Sequence, residues 1–188
     1  MEITWEWLGG FVQAEGHINT PYWLDISQAR REPLDMIHDF LLLKLPNAPA
    51  RIYGLYKNKG RGIYQLRIHK NHQEVLNTLH PYLRSEKHAR ACTHLSTIAK
   101  MLPINNDWIM GFWEGDGFIR ANILGFCQKD RTVLDEIQQH LDLGTVRPHA
   151  NIYRLSISVN KTNVKRIGEL LSLIRTPPRL EQLKRILS

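Results

Sequence analysis

Cysteine is nearly missing from this sequence. Two occur in 188 residues, Cys92 and Cys127, in unlike contexts and without CxxC spacing, which excludes a disulfide framework and a zinc knuckle and points to a reducing compartment. Long hydrophobic runs are missing too: each apolar run falls far short of the ~20 residues that a bilayer span requires. No low-complexity tract interrupts the chain, and hydrophobic residues make up 43% of it, enough for a packed core. Acidic residues are in deficit, 18 against 25 Lys and Arg, leaving a formal charge of +7 before any contribution from nine His. Such a balance suits a polyanionic partner. Basic amphipathic membrane helices are not evident, so nucleic acid leads over an acidic membrane surface. Helical patterning begins almost at the first residue, which leaves no room for a signal or transit peptide and implies an intracellular location, in cytoplasm, nucleoid or an organelle matrix.

What the sequence does have is a repeat. WLGGFVQAEG, Trp7 to Gly16, returns as WIMGFWEGDG, Trp108 to Gly117. Trp7 meets Trp108, Gly10 meets Gly111, Phe11 meets Phe112 and Gly16 meets Gly117, with Ala14 against Gly115 and Glu15 against Asp116. The chain therefore reads as two halves. Each copy is an apolar helix with a small-residue seam, Gly10 and Ala14 in one and Gly111 and Gly115 in the other, four positions apart and so on one face. Two such faces let helix backbones touch. The closing Gly suits a left-handed helix end, which puts Glu15 and Asp116 in the last turn. A carboxylate there faces the negative end of the helix dipole at a cost of roughly 0.3–1 kcal/mol. Two of them side by side call for a cation, and Mg²⁺ held by one or two carboxylates is the natural choice.

Between the motifs the pattern is consistent with two similar halves. Thr4 caps a helix from Trp5 to Glu15, and Tyr22 to Ser27 alternates as a strand. A helix from Glu32 or Pro33 to Leu45 follows, and then a hairpin of Ile52 to Tyr56 with Ile63 to His69 around the basic turn Lys57 to Gly62. Helices are expected from His72 to Leu83 and from Lys87 to Leu102. Residues 103–107 form a linker, in which Asn105, Asn106 or Asp107 caps the second motif helix. The second half then shows an extended run from Phe118 to Gln128, a helix from Thr132 to Leu143, a shorter hairpin and closing helices from Thr162 to Ile174 and from Pro178 to Leu187. Gln28 corresponds to Gln128, and the YQLRIHK run at Tyr64 to YRLSISV at Tyr153. The expected division is residues 1–102, the linker 103–107, and residues 108–188. Each half has the order αββαββα, an α+β fold.

The paired stretches resemble the LAGLIDADG motifs of the homing endonucleases, in the single-chain form with two motifs. The resemblance covers essentially the whole chain. Departures fall at the motif's sixth position, Gln13 and Glu114, and at its second, Gly9 and Met110. It implies motif helices packed at the centre about a pseudo-twofold axis, two antiparallel sheets forming a saddle for duplex DNA, and a monomer that covers both half-sites. The implied activity is site-specific cleavage of both strands at a long asymmetric target. Metal would be held at Glu15 and Asp116 with the preceding Ala14 and Gly115; Mg²⁺ is expected, with Mn²⁺ also supporting cleavage and Ca²⁺ binding without it. The resemblance further implies water-ordering roles for Gln28 and Gln128 and a basic residue near the scissile phosphate at Lys70. Val159 stands opposite Lys70 in the repeat, and Lys161 is the nearest substitute.

Contacts to DNA are expected from outward sheet residues and turns: Trp23, Asp25, Arg30, Arg31, Lys57, Lys59, Arg61, Gln65, Arg67 and His69 in the first half. In the second they are Arg120, Asn122, Lys129, Arg147, Arg154, Ser156 and Ser158. Arg pairs with guanine and Gln with adenine in the major groove, while contacts to phosphate make affinity fall with salt. A solvated sheet face would show the same residues. Zinc is not expected, because His69, His72, His88 and His94 lack a third ligand at recognised spacing. Two other functions use the same scaffold: an intron-RNA-binding splicing maturase, and a DNA-binding protein without catalysis. Acids in both copies speak against the last.

Overall fold

Thr4 and Asn105 begin the two repeats in the same way, each accepting a hydrogen bond from the backbone N–H three residues on, Trp7 at 3.2 Å and Trp108 at 2.9 Å. These caps satisfy donors that the first helical turn leaves open. They start α1 (Trp5–Glu15) and α5 (Asn106–Asp116). The computed structural model describes residues 2–19, 23–58, 61–98 and 100–187, excluding the side chains of 56–58, 61 and 183–187. Of the expected DNA contacts, Lys59 and the side chains of Lys57 and Arg61 lie outside the described residues.

After each motif helix comes a hairpin, a helix, a second hairpin and two helices. The first half contains β1 (Gly16–Asn19), β2 (Trp23–Gln28), α2 (Glu32–Lys44), β3 (Ala50–Asn58), β4 (Arg61–Ile68), α3 (His72–Leu79) and α4 (Ser85–Leu95). The second contains β5 (Gly117–Arg120), β6 (Ile123–Gln128), α6 (Arg131–Leu141), β7 (Thr145–His149), β8 (Ile152–Ser158), α7 (Val164–Leu171) and α8 (Pro177–Leu187). The sheets share one topology, β1-β2-β4-β3 and β5-β6-β8-β7, antiparallel throughout. Ile18, Leu24, Ile26, Leu66 and Ile68 of the first sheet and Leu124, Phe126, Leu155 and Ile157 of the second join one core with both motif helices. No described helix is long and apolar enough to cross a membrane.

Each half keeps the expected order αββαββα, with the two closing helices read from the pattern at its end. Three expectations need correction. Phe118 to Gln128 is a hairpin, broken where Ala121 takes a left-handed backbone at φ 50°. The helix expected from His72 to Leu83 stops at Leu79 and passes into a 3₁₀ turn, His80–Tyr82. The helix expected from Lys87 to Leu102 ends at Leu95, because Ser96 adopts the left-handed conformation and closes it with bonds back to Cys92 and Thr93.

Candidate active site

The small-residue seam brings the motif helices into backbone contact. A Cβ on Gly10 would overlap the Trp108 carbonyl, and one on Gly111 would overlap the Trp7 carbonyl. The two clashes mirror each other, as a pseudo-twofold axis between α1 and α5 requires. Nearer the helix ends, a Cβ on Gly115 would lie 2.5 Å from that of Ala14. The closing glycines have a different reason from the one expected. Gly16 and Gly117 are extended, at φ −76° and −82°, not left-handed. What bars a side chain there is crowding: a Cβ on Gly16 would sit 2.6 Å from the Val12 carbonyl oxygen, and one on Gly117 would overlap Trp113. Each helix thus turns directly into the first strand of its sheet.

This geometry sets Glu15 and Asp116 side by side, half-buried at the end of the central pair. Burial pushes the Glu15 carboxyl up to about 7, and the neighbouring Asp116 charge adds to the rise. Burial likewise raises Asp116 to about 6. Gln28 works the other way, its side chain lying against Glu15 and favouring the ionised form. The Gln28 Nε2 atom is buried and makes no protein hydrogen bond of ordinary geometry.

Two cations oppose the acids, and neither was foreseen. Lys87, from α4, donates to the carbonyls of Val12 at 2.9 Å and Gln13 at 2.8 Å. Arg179, from α8, donates through Nε to Glu114 O at 3.1 Å and through Nη2 to Gly115 O at 3.2 Å and Gly117 O at 2.7 Å. Each cation therefore satisfies the open carbonyls of one motif helix, where the dipole favours positive charge. Burial lowers Lys87 to about 8 against the pull of Asp116 and Glu15, and burial also lowers Arg179. A cleft of about 490 Å³ opens beside Arg179, lined also by Gln28, Arg30, Gly115 and Thr176 among others.

The residues at the motif's sixth position hold these cations in place. Gln13 accepts the Arg84 N–H at 2.9 Å, and Glu114 accepts those of Arg175 at 2.9 Å and Thr176 at 2.6 Å. Arg84 and Arg175 then reach across the pseudo-axis, with guanidinium carbons 5.4 Å and 5.9 Å from the ring centres of Trp108 and Trp7 respectively. Each is also ion-paired, Arg84 with Glu136 at 2.8 Å and Arg175 with Asp107 at 2.8 Å. The run LRSEK at Leu83 and the run IRTPPR at Ile174 are thus counterparts. Only the Arg after an aliphatic residue survives in both, too little to mark them in sequence.

Lys70 is not brought to the acids. The strand row beside Glu15 runs Gly16–Ile26–Leu66, and Lys70 is exposed four residues past Leu66, about 13 Å along the strand direction. Lys161 is likewise exposed in the turn beyond β8. Gln28 is at the site. Gln128 is half-buried and folds back on its own chain, its Oε1 accepting the Lys129 N–H at 2.8 Å. On the outer face of the first sheet, Asp25, Gln65 and Arg67 form one unit: Arg67 Nε donates to Asp25 at 2.6 Å, Nη2 donates to Gln65 at 2.9 Å, and Trp23 Nε1 donates to Asp25 at 2.7 Å. Asp25, 4% exposed, is a support for Arg67 and not an outward reader. His69 is exposed with its ring against Trp23. The equivalent second-sheet row is Phe118–Gly125–Ser156–Thr145, where Phe118 covers Gly125 and Arg154 stacks on Phe118 at 4.9 Å. Arg30, Arg31, Arg120, Asn122, Lys129, Arg147 and Ser158 are exposed. Arg31 is engaged by Asp35 at 3.1 Å.

No protein-family model matches the sequence, and no curated protein does. Solved structures do match. The LAGLIDADG meganuclease I-AabMI bound to uncleaved DNA superposes with a TM-score of 0.66 at 16% identity, over 98% of this chain and 89% of that one. I-DmoI in complex with DNA and Ca gives 0.62 at 18% identity over 96% of each chain. The N-terminal LAGLIDADG domain of WhiA gives 0.56 at 15% identity, over 97% of this chain and 85% of that one. At such identities what is shared is the fold.

Proposed function

We propose that this chain, whose fold is that of the LAGLIDADG homing endonucleases, is a divalent-metal-dependent, site-specific endonuclease that cuts both strands of duplex DNA. The observation that carries the reading is the pair of half-buried acids, Glu15 and Asp116, at the pseudo-twofold axis with their ionisation opposed by burial. A fold gains nothing from two such groups there. They become useful when both ionise around a cation, and duplex DNA offers two equivalent antiparallel strands to a pair of equivalent acids.

The donor set fits a hard divalent ion. Glu15 and Asp116 supply carboxylate oxygens; Ala14 and Gly115 have no side-chain donor and would contribute carbonyls, and the Gln28 amide, set against Glu15, is suited to order a metal-held water. Mg²⁺ is the proposed ion. When bound, it would lower the pKa of a water and neutralise charge on the scissile phosphate. Lys87 and Arg179 hold positive charge beside that position, in a partly desolvated setting where it acts strongly. Arg30, Arg120, Lys129 and Arg147 would meet phosphates, with Arg67, Gln65, Arg154, Ser156 and Ser158 facing bases, as a monomer on an asymmetric site. The two sheet faces differ in chemistry row by row, which suits unlike half-sites.

The test is incubation with a supercoiled plasmid library of random long inserts in Mg²⁺, beside Glu15→Gln and Asp116→Asn proteins and a Ca²⁺ control. Linearisation at one recurrent sequence by the native chain, absent in Ca²⁺ and in both variants, is expected. Tight metal-independent binding to structured RNA with no cut DNA would replace the reading with the maturase.

A further inference from the structure

The unit of Trp23, Asp25, Gln65 and Arg67 on the outer face of the first sheet has spent its acceptors. Asp25 takes Arg67 Nε at 2.6 Å, Arg67 Nη2 at 3.4 Å and the Trp23 indole N–H at 2.7 Å, so both of its oxygens are engaged. Arg67 Nη2 also faces the Gln65 side chain at 2.9 Å. A guanidinium only donates, so the atom that faces it is the amide oxygen and Gln65 Nε2 is directed elsewhere. The guanidinium rests against two rings as well, 4.8 Å from the Trp23 ring centre and 5.8 Å from that of Tyr53. Arg67 Nη1 has no hydrogen-bond partner among the described residues, and the side chain keeps 26% of its surface open. What this patch offers a ligand is therefore Arg67 Nη1 and Gln65 Nε2, two donors and no acceptor.

We propose that Gln65 and Arg67 together read one guanine of the target, with Asp25 and Trp23 as positioning residues that fix the Arg67 fork. The inference rests on the reading of this chain as a DNA endonuclease and specifies one base of its site. In the major groove guanine shows two acceptors, N7 and O6, whereas adenine and cytosine each present an amino group that needs an acceptor. Gln pairs with adenine by using both ends of its amide. Here Arg67 holds the oxygen, so that pairing is closed to Gln65. Thymine offers a single acceptor beside a methyl group. Arg67 is also ordered before DNA arrives, so little rotamer freedom is lost on contact. The second sheet has no such unit: Ser156 stands in the place of Arg67, opposite Gly125, and its hydroxyl both donates and accepts.

Selection of a random-insert duplex library by binding to the intact chain in Ca²⁺, read by sequencing, tests this without cleavage. The native consensus should contain a guanine whose preference over the other bases falls roughly tenfold or more in Arg67→Ala, with the other positions unchanged. Asp25→Asn should relax the same position alone, which a merely structural role would not do. Arg67→Ala strands the buried Asp25 and risks the fold, so Gln65→Glu carries the decision. That variant keeps an oxygen for Arg67 and offers the base a second one, and it should change the guanine to adenine or cytosine. A consensus that Gln65→Glu leaves unaltered, or alters at a position where the native chain selects adenine, would overturn the inference and leave the endonuclease reading standing. No recurrent sequence bound by the native chain would remove both.

Discussion

Glu15→Gln should stabilise this protein at pH 8 and do little at pH 5. The fold raises Glu15 from 4.5 to about 7, so it favours the neutral carboxyl. Stability from this group is therefore fully present below its ordinary value and lost as pH climbs from 4.5 to about 7. At about 1.4 kcal/mol per pH unit, the ionised form at pH 8 costs the fold on the order of 2–3 kcal/mol. Gln keeps the shape and never ionises. For a chain of this size each kcal/mol moves the melting temperature by roughly 2–4 °C, so the variant should melt about 5–10 °C above the native protein at pH 8. At pH 5 Glu15 is already mostly protonated and the two should nearly coincide. Thermal unfolding followed by circular dichroism at both pH values measures this directly. Saturating Ca²⁺ should raise the native melting point at pH 8 and close part of the gap. Equal melting temperatures at pH 8, or a gain of the same size at both pH values, would refute the claim that burial opposes this charge.

Gly10→Ala and Gly111→Ala should each lower stability by about 3 kcal/mol or more in urea unfolding, since the added carbon meets backbone that has no rotamer to change. Lys70→Ala should leave cleavage within a few-fold of native, whereas Lys87→Met should reduce it at least ~100-fold in single-turnover assays. Breaking the Arg84–Glu136 pair with Arg84→Met, which also strands the Leu83 and Leu102 carbonyls, should destabilise by about 1–3 kcal/mol in the same urea assay, Glu136 being open enough to water to stay hydrated. Light scattering should give a monomer with and without DNA, one chain carrying both motif helices.

The central helices were legible because their constraint is local: small residues four apart, an acid and a glycine, repeated twice. The cap at Thr4 and the alternation of Leu66 and Ile68 against Gln65 and Arg67 followed from equally short patterns, while the second cap, left open among Asn105, Asn106 and Asp107, is Asn105. Lys87 and Arg179 were not legible. Each is identified by carbonyls that it meets more than 60 residues away in sequence, and the helices that carry them share almost no residues. Lys70 was placed by its position in an aligned strand, whereas the register sets it four residues along that strand from the row beside Glu15. Asp25 was misread for a related reason. Alternation places it outward, and only the Arg67 guanidinium and the Trp23 indole that cover it show that it faces neighbours and not solvent. The closing glycines were found correctly and explained wrongly, since crowding by Val12 and Trp113 is invisible without the turn into the strand.

The most direct test is a crystal structure of the chain with its selected duplex and Mn²⁺, with the metal located by anomalous scattering. The account predicts density within bonding distance of Glu15 and Asp116, between those carboxylates and a phosphate, with Lys87 and Arg179 flanking it. Metal bound elsewhere, or a duplex seated away from Glu15 and Asp116, would contradict it.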